Sequence, residues 1–82
     1  MQQDTKQSVI IYTTAACGYC TMAKKLLQEK GLSYTEIRVD EDEKERDKMV
    51  ERSGRFTVPQ IFMNDEHIGG YDDLYKHFSK KN

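Results

Sequence analysis

The apolar positions of this chain switch repeatedly between the period of a strand and that of a helix. Ser8 to Thr13 reads SVIIYT, a β-branched apolar run short enough for a strand buried on both faces. Tyr19, Met22, Ala23, Leu26 and Leu27 then fall at i, i+3, i+4, i+7 and i+8, the apolar stripe of a helix, with Gly31 as its C-cap. SYTEIRV alternates, with Thr35, Ile37 and Val39 on one side of a strand. Asp40 followed by Glu43 resembles a capping box opening a highly charged helix. That helix offers only Met49 and Val50 to a core and stops at Gly54. VPQIFMN and HIGG read as two short strands around an Asn64-Asp65-Glu66 turn. Tyr71, Leu74, Tyr75 and Phe78 mark a last helix, with Lys76, His77, Lys80 and Lys81 near the end where cations suit its dipole.

The predicted order is β-α-β-α-β-β-α. The first two strands, joined through a helix, are expected parallel with a right-handed crossover, and the last two as a hairpin. The first seven residues, polar throughout, read as a flexible N-terminus of a single domain spanning 1–82.

With 82 residues, the chain buries roughly 60–65% of the surface it exposes when unfolded, which leaves room for a surface site but not for a deep closed one. A net charge of −1, with no basic stripe, argues against nucleic acid as a partner. No apolar run approaches the ~20 residues of a membrane span, and MQQDTKQ lacks the layout of a signal peptide. The expected compartment is the cytoplasm, where disulfides are transient and catalytic rather than structural.

The chemistry sits in TAACGYC. A zinc site of four ligands needs a second pair after Cys17 and Cys20, and there is no other cysteine. His67 and His77 stand too far apart for zinc spacing, and each is expected at the surface. Two small buried hydrophobes would be the bland alternative for the cysteines. Their placement separates them instead. Cys20 shares a helical face with Ala23 and Leu27 and is expected to be sheltered. Cys17 precedes the first turn, where unpaired N–H groups and the positive end of the dipole stabilise a thiolate. Cys-x-x-Cys on a β-α-β pattern then reads as a thioredoxin-like redox motif.

IYTTAACGYC, SGRFTVPQIF and HIGGYDDL, in this order and spacing, resemble a dithiol glutaredoxin of the short bacterial type, over nearly all of Val9 to Phe78. The resemblance implies an α/β thioredoxin fold, with a four-stranded mixed sheet flanked by helices on both faces. It implies a cis peptide before Pro59, the only proline, whose plain alternative is an edge-strand start. Cys17 and Cys20 become the catalytic pair. Tyr19 would flank the thiols beside bound glutathione, or else lie on the core face of its helix. Thr57 and Val58 would hold the cysteinyl segment of the tripeptide, Val58 pairing with its backbone like an added strand. Arg46 would bind the glycine carboxylate, or be a solvated helix charge. Gly69 and Gly70 would let the chain pass close to the ligand. Tyr71 and Asp72 would meet the γ-glutamyl end at the last helix N-terminus, with Asp72 pairing its ammonium. Asp72 or Asp73 would also serve as a simple N-cap.

Two positions depart from the family's usual pattern. Gly18 stands where dithiol members carry proline, and Thr14 where they often carry lysine. The first loosens the turn, and the second removes a cation from the thiolate and from glutathione.

The implied activity is glutathione-dependent reduction of protein–glutathione mixed disulfides and protein disulfides by a monomer. Glutathione is the reductant, and no permanently bound cofactor is implied. Two alternatives stay open. Cys17, with glutathione, would ligate a [2Fe–2S] cluster in a carrier that glycine at 18 permits. Alternatively, the chain would be a redoxin reduced by thioredoxin reductase.

Overall fold

A computed structural model of the chain describes residues 8–79. The expectations for residues 1–7 and for Lys80 and Lys81 lie outside the described residues. The elements run β1 (Val9–Thr13), α1 (Gly18–Glu29), β2 (Thr35–Arg38), α2 (Glu43–Ser53), β3 (Gln60–Met63), β4 (Glu66–Gly69) and α3 (Tyr71–Ser79). The order is the one the periodicity predicts.

The four strands form one mixed sheet in the order β2-β1-β3-β4. β1 and β2 are parallel, while β1–β3 and β3–β4 are antiparallel. The pleat sorts the core into two layers. Val9, Ile11, Ile61 and Met63 point to one face, where they pack with Ala23 and Leu27 of α1 and Leu74 of α3. Tyr12 and Phe62 point to the other, where they meet Met49 of α2 and Val39, the residue after β2. The central strands are therefore apolar on both faces, as SVIIYT predicts, and helices cover both. This is the thioredoxin fold that the sequence motifs imply.

Three local features differ from the sequence reading. First, the capping residue of α2 is Asp42, not Asp40: the Asp42 side chain accepts from the Lys44 and Glu45 N–H groups at 3.0 and 3.4 Å. Asp40 is already engaged, by Arg38 on two sides at 2.8 Å and by the Ala15 N–H at 3.1 Å. Second, α1 buries Cys20, Ala23 and Leu27, while Tyr19 and Met22 of the predicted stripe are exposed. Third, the hairpin turn is two residues long. Asn64 and Asp65 both take positive φ, as a type I′ turn requires, and Glu66 already pairs with Met63.

Gly31 does end α1, in the left-handed region at φ 73°. Its N–H donates to the Gln28 carbonyl and that of Leu32 to Leu27, both at 3.0 Å, the paired bonds of a Schellman motif. Gly54 ends α2 at φ 73°.

Candidate active site

β1 delivers the chain to one edge of the molecule, and the loop Thr14–Ala16 carries it into α1. Cys17 is the N-cap of that helix, in extended conformation. Its sulfur accepts from the Cys20 backbone N–H at 3.1 Å, in the place a serine or aspartate oxygen takes at an ordinary cap. Cys17 is half-buried, whereas Cys20 is 1% exposed. Their Cα atoms are 5.2 Å apart, and the pair is joined as a disulfide. One sulfur is thus reachable from outside and sits on a helix N-terminal donor; the other lies against the core. That is the asymmetry a nucleophile and a resolving partner need. The loop in front of Cys17 is held from the side by the Asp40 carboxylate on the Ala15 N–H. The Arg38 guanidinium, with help from that N–H, keeps the Asp40 carboxyl well below the ordinary carboxylate range.

The Val58 carbonyl lies 3.9 Å from the Cys17 sulfur, and the Val58–Pro59 peptide is cis, as the family resemblance implies. Between this segment and the start of α3 runs an open groove of about 300 Å³. Tyr19, Thr57, Val58, Pro59, Gly70, Tyr71 and Asp72 all line it, so every expected glutathione contact except Arg46 and Gly69 comes to one place. Tyr19 is solvent-exposed with its ring 6.1 Å from that of Tyr71, which sets aside the core-face alternative. Arg46 stands exposed near the start of α2, and it is not among the lining residues.

Three lining residues were not singled out as ligand contacts: Arg55, Gln60 and Asp73. Asp73 is the third residue of α3, and its carboxylate reaches back to accept from the Gly70 N–H at 3.1 Å. This is the acidic half of a capping box, a different role from the N-cap expected. The same carboxylate pairs with Arg55 at 3.4 Å. Both contacts hold the Asp73 carboxyl below its ordinary value, the Gly70 N–H more than Arg55. A side chain on Gly69 would collide with Asp73, and Gly69 has φ 122°. Glycine at 69 is therefore demanded by the cap of α3, whatever passes in the groove.

Gln60 is 1% exposed, and a buried amide must find partners. Its Nε2 donates to the Thr57 carbonyl and hydroxyl at 3.1 and 3.2 Å, and its Oε1 meets His67 Nε2 at 2.7 Å. Because Oε1 only accepts, Nε2 of His67 carries the proton. His67 is half-buried with its ring 5.0 Å from that of Phe62, so it is not the surface residue expected. Burial, and secondarily the Arg55 charge, push its pKa down. His77 is half-buried too. The signal for Gln60 was available in the sequence: a polar residue inside the apolar run VPQIFM must either break the strand or be satisfied within it.

The glutaredoxin family model matches residues 9–68 of this chain. Glutaredoxin 3 of Escherichia coli K12 is 53% identical over 68 residues, covering 83% of this chain and 82% of that protein. Glutaredoxin 1 of Rickettsia prowazekii is 44% identical over 77 residues, covering 92% and 81%. Among solved structures, the solution structure of glutaredoxin from Brucella melitensis superposes with a TM-score of 0.82 at 44% identity, over 98% of this chain and 87% of that one. A buckwheat glutaredoxin–glutathione complex superposes with a TM-score of 0.79 at 30% identity, over 92% and 72%. The sequence match spans both the cysteine pair and the cis-proline segment, and the chain accordingly belongs to the glutaredoxin family, as a thiol–disulfide oxidoreductase of that type.

Proposed function

We propose that the protein reduces protein–glutathione mixed disulfides and protein disulfides at the expense of glutathione, in the cytoplasm and as a monomer. The observation that carries this reading is the groove itself. It runs from the Val58–Pro59 segment, whose Val58 carbonyl is 3.9 Å from the Cys17 sulfur, to the N-terminus of α3, and Tyr19, Thr57, Val58, Pro59, Gly70, Tyr71 and Asp72 line it. The related buckwheat protein is seen with glutathione.

In this mechanism Cys17 thiolate attacks the glutathionyl sulfur of the mixed disulfide. The S–S bond breaks, and the protein thiolate leaves and takes up a proton. A second glutathione thiolate then attacks the Cys17–glutathione bond, which releases oxidised glutathione and regenerates Cys17. With a protein disulfide, Cys17 is first joined to the protein, and Cys20 displaces it by closing the Cys17–Cys20 disulfide. Glutathione reopens that bond. Helix donors at the start of α1 stabilise the thiolate as attacker and as leaving group. Val58 offers its backbone to the cysteinyl residue of the tripeptide, and Thr57 adjoins it. Tyr19 and Tyr71 form apolar walls, and Asp72 pairs with the γ-glutamyl ammonium. Arg55 is the cation on the groove, and Arg46 adds attraction for the carboxylates from the face of α2.

Turnover of a glutathionylated peptide, coupled to glutathione and glutathione reductase or to thioredoxin and its reductase, tests the reading. The glutathione system is expected to sustain turnover. Turnover with thioredoxin reductase alone would assign the chain to the other class of redoxin.

A second reading, cluster carriage, rests on Gly18. Open space surrounds the position of its missing side chain, so nothing in the protomer requires glycine there. Among the described residues no three acidic, histidine or cysteine side chains gather as a metal site. A [2Fe–2S] cluster would therefore take Cys17 thiolates from two protomers and two glutathione thiolates as its four sulfur ligands. Anaerobic reconstitution with glutathione, read by visible absorption and size-exclusion chromatography, tests it. Coloured wild-type dimers and colourless Cys17→Ser monomers would support it.

A further inference from the structure

Four large apolar side chains are exposed among the described residues: Tyr19, Met22, Phe56 and Tyr75. Single exposed apolar residues are ordinary, but adjoining ones mark an interaction site. Met22 and Tyr75 face each other across a second open groove of about 320 Å³ between α1 and α3, floored by Leu26 and Tyr71. Tyr71 also lines the groove beside the Val58–Pro59 segment. The rings of Tyr19, Tyr71 and Tyr75 follow one another at 6.1 and 6.3 Å, so the aromatic surface is continuous from Tyr19, two residues past the reactive cysteine, to the second groove.

We infer that the groove between α1 and α3 receives an apolar side chain of the polypeptide being reduced, from a residue near its oxidised cysteine. The inference rests on the proposed function and assigns the half of the mixed disulfide that glutathione does not fill. Glutathione is polar apart from its cysteine and has nothing to place among Met22, Leu26 and Tyr75. As Cys17 attacks the glutathionyl sulfur, the departing cysteine of the polypeptide stands in line with that attack, so its neighbours in the polypeptide lie across the adjoining surface, and Tyr71 joins this face to the groove proposed for glutathione. The rim carries one cation and one anion, Lys25 and Glu29, so it selects for apolar content and not for charge. That neutral rim also lacks the basic cluster an anionic membrane surface would require.

The test compares four substrates under saturating glutathione and glutathione reductase. Three are glutathionylated peptides: one with serine two residues from the modified cysteine on both sides, and two in which leucine replaces one or the other serine. The fourth is the mixed disulfide of cysteine and glutathione. The enzymes are the wild type and Met22→Ser/Tyr75→Ser, whose altered side chains are exposed. The wild type is expected to prefer one leucine peptide by about tenfold in kcat/KM, from burying part of an apolar side chain. The double variant is expected to lose that preference while keeping its rate on the cysteine–glutathione disulfide. Wild type active on the small disulfide yet indifferent to leucine overturns the docking surface alone. So does a leucine preference that survives in the double variant. No turnover of the small disulfide by the wild type overturns the glutathione reading itself. A wild-type dimer that the double variant dissolves would give this face to a second copy of the chain, against the proposal.

Discussion

The backbone N–H of Cys20 donates to the sulfur of Cys17 at 3.1 Å, so the cysteine that ends in the core helps to solvate the one that reacts. Once the Cys17–Cys20 disulfide is reduced, the same donor facing a Cys17 thiolate makes a charge-assisted bond, which favours the thiolate over the thiol. In the reduced protein Cys17 is therefore expected to alkylate with iodoacetamide much faster than Cys20 at pH 6. Mass mapping of the first modified cysteine reads the outcome. Equal labelling of the two would contradict the assignment of nucleophile and resolving partner.

The loop before that sulfur has its own anchor. Asp40→Ala removes the acceptor of the Ala15 N–H and leaves Arg38 paired with Glu41 at 3.4 Å. The expected result is slower alkylation of Cys17 near neutral pH and a higher apparent thiol pKa, with little change in melting temperature. Asp40→Asn keeps an oxygen acceptor and is expected to recover most of the difference. A pH profile of alkylation for the three proteins is the measurement.

Gly69 and Asp73 are coupled. Gly69→Ala puts a methyl group at φ 122° and against the Asp73 carboxylate. The expected cost is about 1–3 kcal/mol of stability. Asp73→Ala clears the space but leaves the backbone conformation and uncaps Gly70. In a double-mutant cycle by urea unfolding, the two costs are expected to be less than additive. Full additivity would mean that Asp73 does not occupy the place a side chain at 69 would take.

His67 gives stability a pH dependence. Its folded pKa lies below the ordinary 6.5, so between the two values the unfolded chain binds a proton that the folded one refuses. This contribution is whole above 6.5 and is lost as pH falls through that window. His67→Phe is expected to flatten the wild type's decline in stability between pH 7.5 and 5.5. A decline of the same slope in the variant would place its origin elsewhere.

Most of the architecture was legible in the sequence because its signals are local or periodic. SVIIYT reads as a strand with two apolar faces, and the helical face shared by Cys20, Ala23 and Leu27 puts Cys17 at the mouth of their helix. What escaped depended on competition between groups distant in sequence. Asp40 and Asp42 both look like caps; Asp42 serves because Ala15 and Arg38 claim Asp40. Tyr19 and Met22 fit an apolar stripe, yet the sheet takes the face of Cys20, Ala23 and Leu27 and leaves them outside. Gln60 and His67 satisfy each other only once β3 and β4 are paired. Arg55 reaches the groove because Asp73, eighteen residues on, draws it there.

In the proposed mechanism Cys17 alone performs the exchange with glutathione, and Cys20 serves only to resolve protein disulfides. Steady-state turnover of a glutathionylated peptide by Cys17→Ser and Cys20→Ser, with glutathione and glutathione reductase, tests it most directly. Cys17→Ser is expected to be inactive. Cys20→Ser is expected to retain activity on the glutathionylated peptide and to lose most of its activity on a protein disulfide. A Cys20→Ser enzyme that is dead toward the glutathionylated peptide, or a Cys17→Ser enzyme that still turns it over, would contradict the account.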